Sequence, residues 1–291
     1  MPPSEIYFYN EKLSTGAFRS GAHICREGRW AEIAPLPGLS VETLDQAIDQ
    51  IDQIDQGGVP SASFARESLN LPFPSPKPIE TSLLLMGSCE EILNRAALYP
   101  YFTSAKLKVS QLPEDKARDL IDKLSTRFYL RVDVNRAWKT EESLKFFKRY
   151  PIDLFDYVEE PFQNPKDLPL FTHPLAVDES YPRDLSFQDL EKLPALKAVV
   201  YKPMIQGGLV KANPLKAYTD RLGIKFIASS AFETDVGLAH VLAFADRLGL
   251  KEPVGIGTYH YLETLFCDDA IRFDGSKALI KPPIPKKYGL L

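Results

Sequence analysis

Cysteine is scarce: Cys25, Cys89 and Cys267 are widely separated, and no C-x-x-C pair occurs. An odd, scattered set excludes a disulfide framework and reads as reduced packing residues of a cytoplasmic protein. Histidine is equally thin. His23, His173, His240 and His260 lack metal-ligand spacing, so no chemistry is assigned to them. A basic excess is absent too, and the formal net charge of −4 excludes an electrostatic footprint for nucleic acid. No stretch approaches the roughly 18 apolar residues of a membrane span. The opening MPPSEIYFYNEKL has no basic segment followed by an apolar one, so neither export nor membrane insertion is expected.

What is present is an ordinary globular composition. With 291 residues, 44% hydrophobic and 25% charged, the chain has material for one barrel and a small appendage. Its rhythm changes at a proline-rich stretch, 72–78. Before it, Ile6 to Tyr9, Ala22 to Arg26 and Arg29 to Ile33 read as an antiparallel meander, the last two joined by a tight turn at Glu27-Gly28. A helix should follow, capped by Ser40, with Leu44, Ile48, Ile51 and Ile54 on one face and a stop at Gly57-Gly58. A second is expected from Pro60-Ser61 to Asn70. After the prolines, strands and helices alternate. Strands are expected near 82, 105, 129, 155, 175, 198, 225 and 253, the last ending at Val254-Gly255. Beyond Arg272 the tail is too proline-rich for a helix or a central strand.

Several of these strands end in charge. In 129–138 (YLRVDVNRAW) Leu130, Val132 and Val134 alternate with Arg131, Asp133 and Asn135. A strand between helices lies in a sheet covered on both faces, so a charged face needs a chemical reason. Lys106 and Lys108, Glu159, Asp178 and Lys202 repeat the pattern at intervals of about one strand–loop–helix unit, and inward residues at the C-terminal ends of barrel strands share one site. Three carboxylates, Asp133, Glu159 and Asp178, suit a hard divalent cation with oxygen ligands. Flanking lysines suit acid–base and electrostatic work. Any one of the acids alone reads as a salt-bridged strand end; the set, in phase, reads as a site. Glu160 and Glu179 point the other way or lie past the strand ends. Lys106 and Lys108 share a face, and the residues alone do not choose between them. Asn135 and Arg131 read either as groups orienting the carboxylates or as structural ones. Ser229 and Ser230 read equally as turn residues.

Residues 106–108 (KLK), 131–138 (RVDVNRAW), 158–161 (VEEP), 177–180 (VDES) and 201–203 (YKP), with 31–38 (AEIAPLPG), 60–64 (PSASF) and Ser229-Ser230, resemble the enolase superfamily. Within it they resemble the o-succinylbenzoate synthases of menaquinone biosynthesis, and the resemblance covers most of the chain. It implies an α/β fold, a (β/α)7β barrel over 79–272, with a small α+β cap from 1–78 and a C-terminal tail, 273–291, returning to that cap. It implies Mg2+, with Mn2+ as a substitute, on Asp133, Glu159 and Asp178, the first glutamate of Glu159-Glu160-Pro161 being the ligand. Lys108 becomes the general acid/base, supported by Lys106, with Lys202 a fixed charge on the opposite side. Ser229, Ser230 and Gly255 fall where the family binds the succinyl side of its substrate. The implied reaction dehydrates a small anionic cyclohexadiene carboxylate, 2-succinyl-6-hydroxy-2,4-cyclohexadiene-1-carboxylate, to o-succinylbenzoate, and requires no oligomer. Sister N-acylamino-acid racemases and dipeptide epimerases use the same acids and lysines. The epimerases usually carry Asp-x-Asp at the eighth strand, whereas 255–258 here read GIGT. The glycine-bracketed stretch 15–21 (TGAFRSG), exposing Phe18 beside Arg19, suits a loop closing over the substrate, with an ordinary surface loop as the alternative.

Overall fold

The computed structural model describes residues 3–53, 58–286 and 288. The meander forms as β1 (Glu5–Lys12), β2 (Phe18–Arg26) and β3 (Arg29–Ile33), an antiparallel sheet in that order. Its second turn is tight because Glu27 and Gly28 both take left-handed backbone angles, φ 52° and 75°, which match strand twist in a two-residue hairpin. The inner face, Ala22, Ile24, Ala31 and Ile33, packs on Ala47, Ile51, Ala62, Ala65 and Leu69. Most of these partners lie on α1 (Leu44–Ile48) and α2 (Pro60–Asn70). The cap of α1 is Thr43 instead of Ser40. Thr43 and Gln46 exchange both bonds of a capping box, whereas the Ser40 hydroxyl accepts from Leu36 N at 2.8 Å. The helix ends at Ile48, earlier than expected, and Ile54 and Gly57 lie outside the described residues.

From β4 (Ile79–Glu80) the alternation takes over: β5 (Leu83–Leu85), α3 (Cys89–Leu98), β6 (Ser104–Lys108), α4 (Glu114–Leu124), β7 (Tyr129–Asp133), α5 (Thr140–Phe147), β8 (Phe155–Glu159), β9 (Leu175–Val177), α6 (Phe187–Leu190), β10 (Leu196–Tyr201), α7 (Pro203–Gln206), α8 (Leu209–Leu222), β11 (Lys225–Ala228) and α9 (Asp235–Arg247). Strands β5 to β11 form one parallel sheet in unbroken chain order, the arrangement that successive crossovers of one hand produce. The eighth expected strand is reduced to bridges: Val254 pairs with Thr81 and Gly255 with Ser229, both parallel. Pro253 just before them has no N–H to extend the ladder.

The tail departs from expectation. Residues past Ile271 form a hairpin, β12 (Ile271–Asp274) and β13 (Lys277–Ile280), turning at Gly275 with φ 60°, and β13 pairs with β4. The prolines that argued against a strand begin only at Pro282. Tyr288 then stacks on Tyr7, ring centroids 4.5 Å apart. The chain divides into two compact units, one of Met1–Thr81, Tyr201–Tyr218 and Ala228–Leu291, the other of Ser82–Val200 and Thr219–Ile227. No described helix is long and apolar enough to cross a membrane.

Candidate active site

In the second unit, parallel pairing sets the acids side by side. Lys108 lies opposite Asp133, and Asp133 opposite Glu159, each at the C-terminal end of its strand. Asp178 follows β9 directly. All three acids are at most 4% exposed, and ionised carboxylates at that depth need countercharge. Lys106 supplies part of it, its Nζ lying 2.8 Å from Asp133 Oδ2 and 2.7 Å from Glu159 Oε1. Burial alone would lower the Lys106 pKa, but the charges of Asp133, Glu159 and Asp178 outweigh it and hold the ammonium well above the usual lysine value.

Lys108 sits differently. Its Nζ donates to Asn135 Oδ1 at 2.9 Å and stands 3.4 Å from Asp133 Oδ2. Asn135 takes a left-handed backbone, φ 47°, which asparagine tolerates better than most residues. That turn lets its N–H donate to Asp133 Oδ1 (2.9 Å) and its Nδ2 to Glu179 Oε1 (3.1 Å). Asn135 thus orients a lysine and two acids. Arg131 lies deeper: its Nε donates to Asp156 Oδ2 at 2.9 Å, and its guanidinium stands 5.2 Å from the Tyr157 ring centroid. Lys225 binds the other Asp156 oxygen at 2.6 Å.

The neighbouring acids matter more than the alternation suggested. Glu160, at φ 47° and fully buried, accepts from Asp178 N (2.8 Å), Ser180 N (2.9 Å) and Ser180 Oγ (2.5 Å). It ties the end of β8 to the turn after β9. Burial, reinforced by the Glu179 charge, pushes its pKa up to about 7. No periodic signal could reveal this, because the left-handed residue breaks the alternation; the recurring pair of acids at 159–160 and 178–179 was the available hint. Glu159, Asp178 and Glu179 each place a carboxylate oxygen within 4.8 Å of the others. Glu179 Oε2 is buried without a hydrogen-bond partner. An all-oxygen, multiply anionic set with a buried acceptor left over fits a hard divalent cation. Asp133 stands beside this trio in the sheet, engaged by both lysines.

The remaining expected residues belong to the first unit. Lys202 follows β10 directly and caps α7, its N–H donating to Gln206 Oε1 at 2.8 Å. Ser229 and Ser230 are both buried, and their hydroxyls donate to Gly255 O at 3.2 and 3.0 Å. Ser230 Oγ also lies 2.7 Å from Thr258 Oγ1. A Cβ on Gly255 would stand 2.6 Å from Ser229 Oγ, so a side chain there would displace the serine hydroxyl. Arg19 is the clearest departure. Phe18 is 65% exposed, as expected of a loop, but Arg19 is 4% exposed and donates to the carbonyls of Phe232, Pro35 and Ala34. The β1–β2 ladder runs on to Lys12 and Phe18, and strand parity turns the next residue inward.

Residues 89–290 match the family model described as Enolase C-terminal domain-like. The chain belongs to that family. The o-succinylbenzoate synthase of Salmonella arizonae is 27% identical over 274 residues, covering 84% of this chain and 85% of the relative. Among solved structures, the L-Ala-D/L-Glu epimerase from Bacillus subtilis aligns with a TM-score of 0.79 at 18% identity, covering 97% of each chain. MenC from Desulfotalea psychrophila aligns at 0.73 and 17%, covering 94% of this chain and 98% of that one. The fold is the enolase-type (β/α)7β barrel with a small α+β cap, as the strand-end pattern and the resemblance implied.

Proposed function

We propose that the chain is an o-succinylbenzoate synthase, a hydro-lyase that dehydrates 2-succinyl-6-hydroxy-2,4-cyclohexadiene-1-carboxylate. The observation that carries this reading is the strand-end array of Lys106, Lys108, Asp133, Glu159 and Asp178 in a chain whose curated relatives are o-succinylbenzoate synthases over 84% of its length. Asp133, Glu159 and Asp178 would hold Mg2+, or Mn2+ in its place, with Glu179 the rival third ligand. When bound, the cation would neutralise the substrate carboxylate and favour charge developing next to it. Lys108, turned by Asn135, removes the proton beside that carboxylate. It then delivers a proton to the departing hydroxyl, so that water leaves and the ring becomes aromatic. One carrier suffices for a syn elimination. Lys106 stays charged and fixes the two acids it touches. Lys202 supplies positive charge to the intermediate, and Ser229, Ser230 and Gly255 receive the succinyl side.

The domain assignment belongs to the same reading: a barrel over 79–272, with 1–78 and the tail 273–291 as its cap. The setting is cytoplasmic, in keeping with the free thiols of Cys25, Cys89 and Cys267, and the chain acts on a small anion without needing an oligomer. The epimerase folds favour a second reading, a dipeptide epimerase or N-acylamino-acid racemase. Gly255-Ile256-Gly257 weighs against the epimerase because it offers no carboxylate for a substrate ammonium. Incubating the protein and Mg2+ with the cyclohexadiene substrate, and in parallel with L-Ala-L-Glu and N-succinyl amino acids in D2O, decides the matter. Ultraviolet appearance of the aromatic product supports the synthase; deuterium incorporation into the dipeptide without dehydration overturns it.

A further inference from the structure

The loop after β11 carries Ser229 and Ser230 and then enters α9, and side chains of the N-terminal meander grip it at two points. Glu32, on β3 and 2% exposed, accepts from Thr234 N (3.0 Å), Thr234 Oγ1 (2.5 Å) and Gly237 N (2.8 Å). Tyr9 Oη donates at 2.5 Å to Glu32 Oε1, the oxygen that also takes the Thr234 N–H, while Oε2 takes the Thr234 hydroxyl and Gly237 N. Glycine at 237 is what permits the approach, since a Cβ there would stand 2.8 Å from Glu32 Oε2. Arg19, on β2, donates to Phe232 O at 3.2 Å, and its far end is anchored on Pro35 O at 2.9 Å and on Ala34 O. At the Arg19 grip Phe232 lies at φ 63°, a backbone that a bulky residue keeps only where its surroundings impose it. Glu233, fully buried, accepts from Ala231 N at 2.6 Å and closes the loop on itself.

The direction of the bonds follows from counting protons. Val236 N donates to Thr234 Oγ1, and the single hydroxyl proton of Thr234 goes to Glu32. His23 Nε2, 2.9 Å from the same oxygen, must then be the donor. On the other side of the ring Tyr288 Oη lies 2.9 Å from His23 Nδ1. The contacts Tyr288, His23, Thr234 and Glu32 thus form one connected series that ends on the carboxylate holding the loop.

We propose that Glu32 and Arg19 are positioning residues for the substrate: acting through Thr234 and Phe232, they hold the left-handed turn that sets Ser229 and Ser230 in place. The inference rests on the assignment of those serines to the succinyl side of the substrate. It makes Arg19 a determinant of binding although its side chain contacts only carbonyls in the contacts described.

Glu32→Gln and Arg19→Lys test it, with Tyr9→Phe as the control that removes a Glu32 donor lying outside the loop. Steady-state dehydration, calorimetric binding of o-succinylbenzoate and hydrogen–deuterium exchange over 228–238 are measured on each. Glu32→Gln and Arg19→Lys should raise KM and weaken product binding about tenfold, the size of one lost charge-assisted bond. They should leave kcat within about threefold and speed amide exchange at 229–234. Tyr9→Phe should lower the melting temperature without moving KM or that exchange. Unchanged KM and product affinity in folded Glu32→Gln and Arg19→Lys overturn the proposal, as does an equal KM rise in Tyr9→Phe. Should Glu32→Gln not fold, Thr234→Val cuts the same grip from the loop side and is read in the same way. Should the wild type leave the cyclohexadiene unchanged, the synthase reading fails by itself. Exchange at 229–234 then still decides the clamp: faster in Arg19→Lys supports it, unchanged overturns it.

Discussion

Replacing Lys106 with methionine removes one cation from between two buried acids while keeping most of the side-chain volume. Its Nζ lies 2.8 Å from Asp133 and 2.7 Å from Glu159, with the lysine side chain 16% exposed and the acids at most 1%. Screening by solvent is therefore slight. Removing one partner of a buried pair costs about 3–5 kcal/mol, because the other charge is left uncompensated. Here two acids lose the same partner, so a deficit of about 4 kcal/mol near neutral pH is expected, a large part of a typical folding stability. The sign of the pH dependence is also set. In the wild type the Lys106 pKa is raised, so its contribution is complete below the usual lysine range and is lost only as pH climbs through the raised value. In Lys106→Met the deficit comes from ionised carboxylates and should shrink as acid protonates them. Mg2+ at about 100 times its dissociation constant should return about 2.7 kcal/mol to whichever form binds it. Urea unfolding followed by circular dichroism, with and without Mg2+ across a pH series, measures all of this. A variant within about 1 kcal/mol of wild type near neutral pH, or a deficit that acid does not relieve, would refute the reasoning.

Lys108→Ala should reduce dehydration by at least about a hundredfold, the low end of general acid–base catalysis, with Mg2+ affinity within about twofold by calorimetry. Asp133→Asn should weaken Mg2+ binding by at least about a hundredfold and Glu179→Gln by about tenfold; the reverse order moves the third ligand to Glu179. Glu233, whose pKa burial and the Glu32 charge push up from 4.5 to about 7, keeps a proton that the unfolded chain gives up, so it erodes stability as pH rises through that window. Glu233→Gln should flatten that slope by up to about 3 kcal/mol in denaturant titrations; Glu160, raised in the same direction, leaves a residual slope.

The parts of the fold readable from sequence are those with short-range causes. A period of two places Lys106 and Lys108 on one face, and parallel pairing aligns Lys108, Asp133 and Glu159. The Glu27-Gly28 turn needs only the conformational preferences of two residues. What was not readable depends on distant partners or on unusual backbone. Glu160 gains its role from Asp178 N and Ser180, across a register no local pattern specifies. Arg19 is buried because β1 pairs with β2 as far as Phe18, which a glycine-rich stretch disguises. Residues 271–280 form a hairpin that pairs with β4 from far away in the chain, while the prolines dominating the local composition lie beyond it. The in-phase acids led to Asp133, Glu159 and Asp178, whereas among the described residues the acids whose oxygens lie within 4.8 Å of one another are Glu159, Asp178 and Glu179, the last reached by a turn after β9 that carries two consecutive acids toward one place.

The contact between Gly255 and Ser229 bears on how this chain could change its chemistry. An Asp-x-Asp at 255–257 would bring the carboxylate that a dipeptide epimerase uses, and a single codon change converts glycine to aspartate. Yet the first atom of any side chain at 255 would fall 2.6 Å from Ser229 Oγ and 3.1 Å from Ser229 Cβ. Gly255→Asp arriving first would push the serine, and the Gly255 carbonyl it holds, out of place. Ser229→Gly removes both obstructing atoms and would ease that substitution by coming earlier. The easier path thus begins at the serine, and that first step gives up a proposed substrate contact before any new one exists.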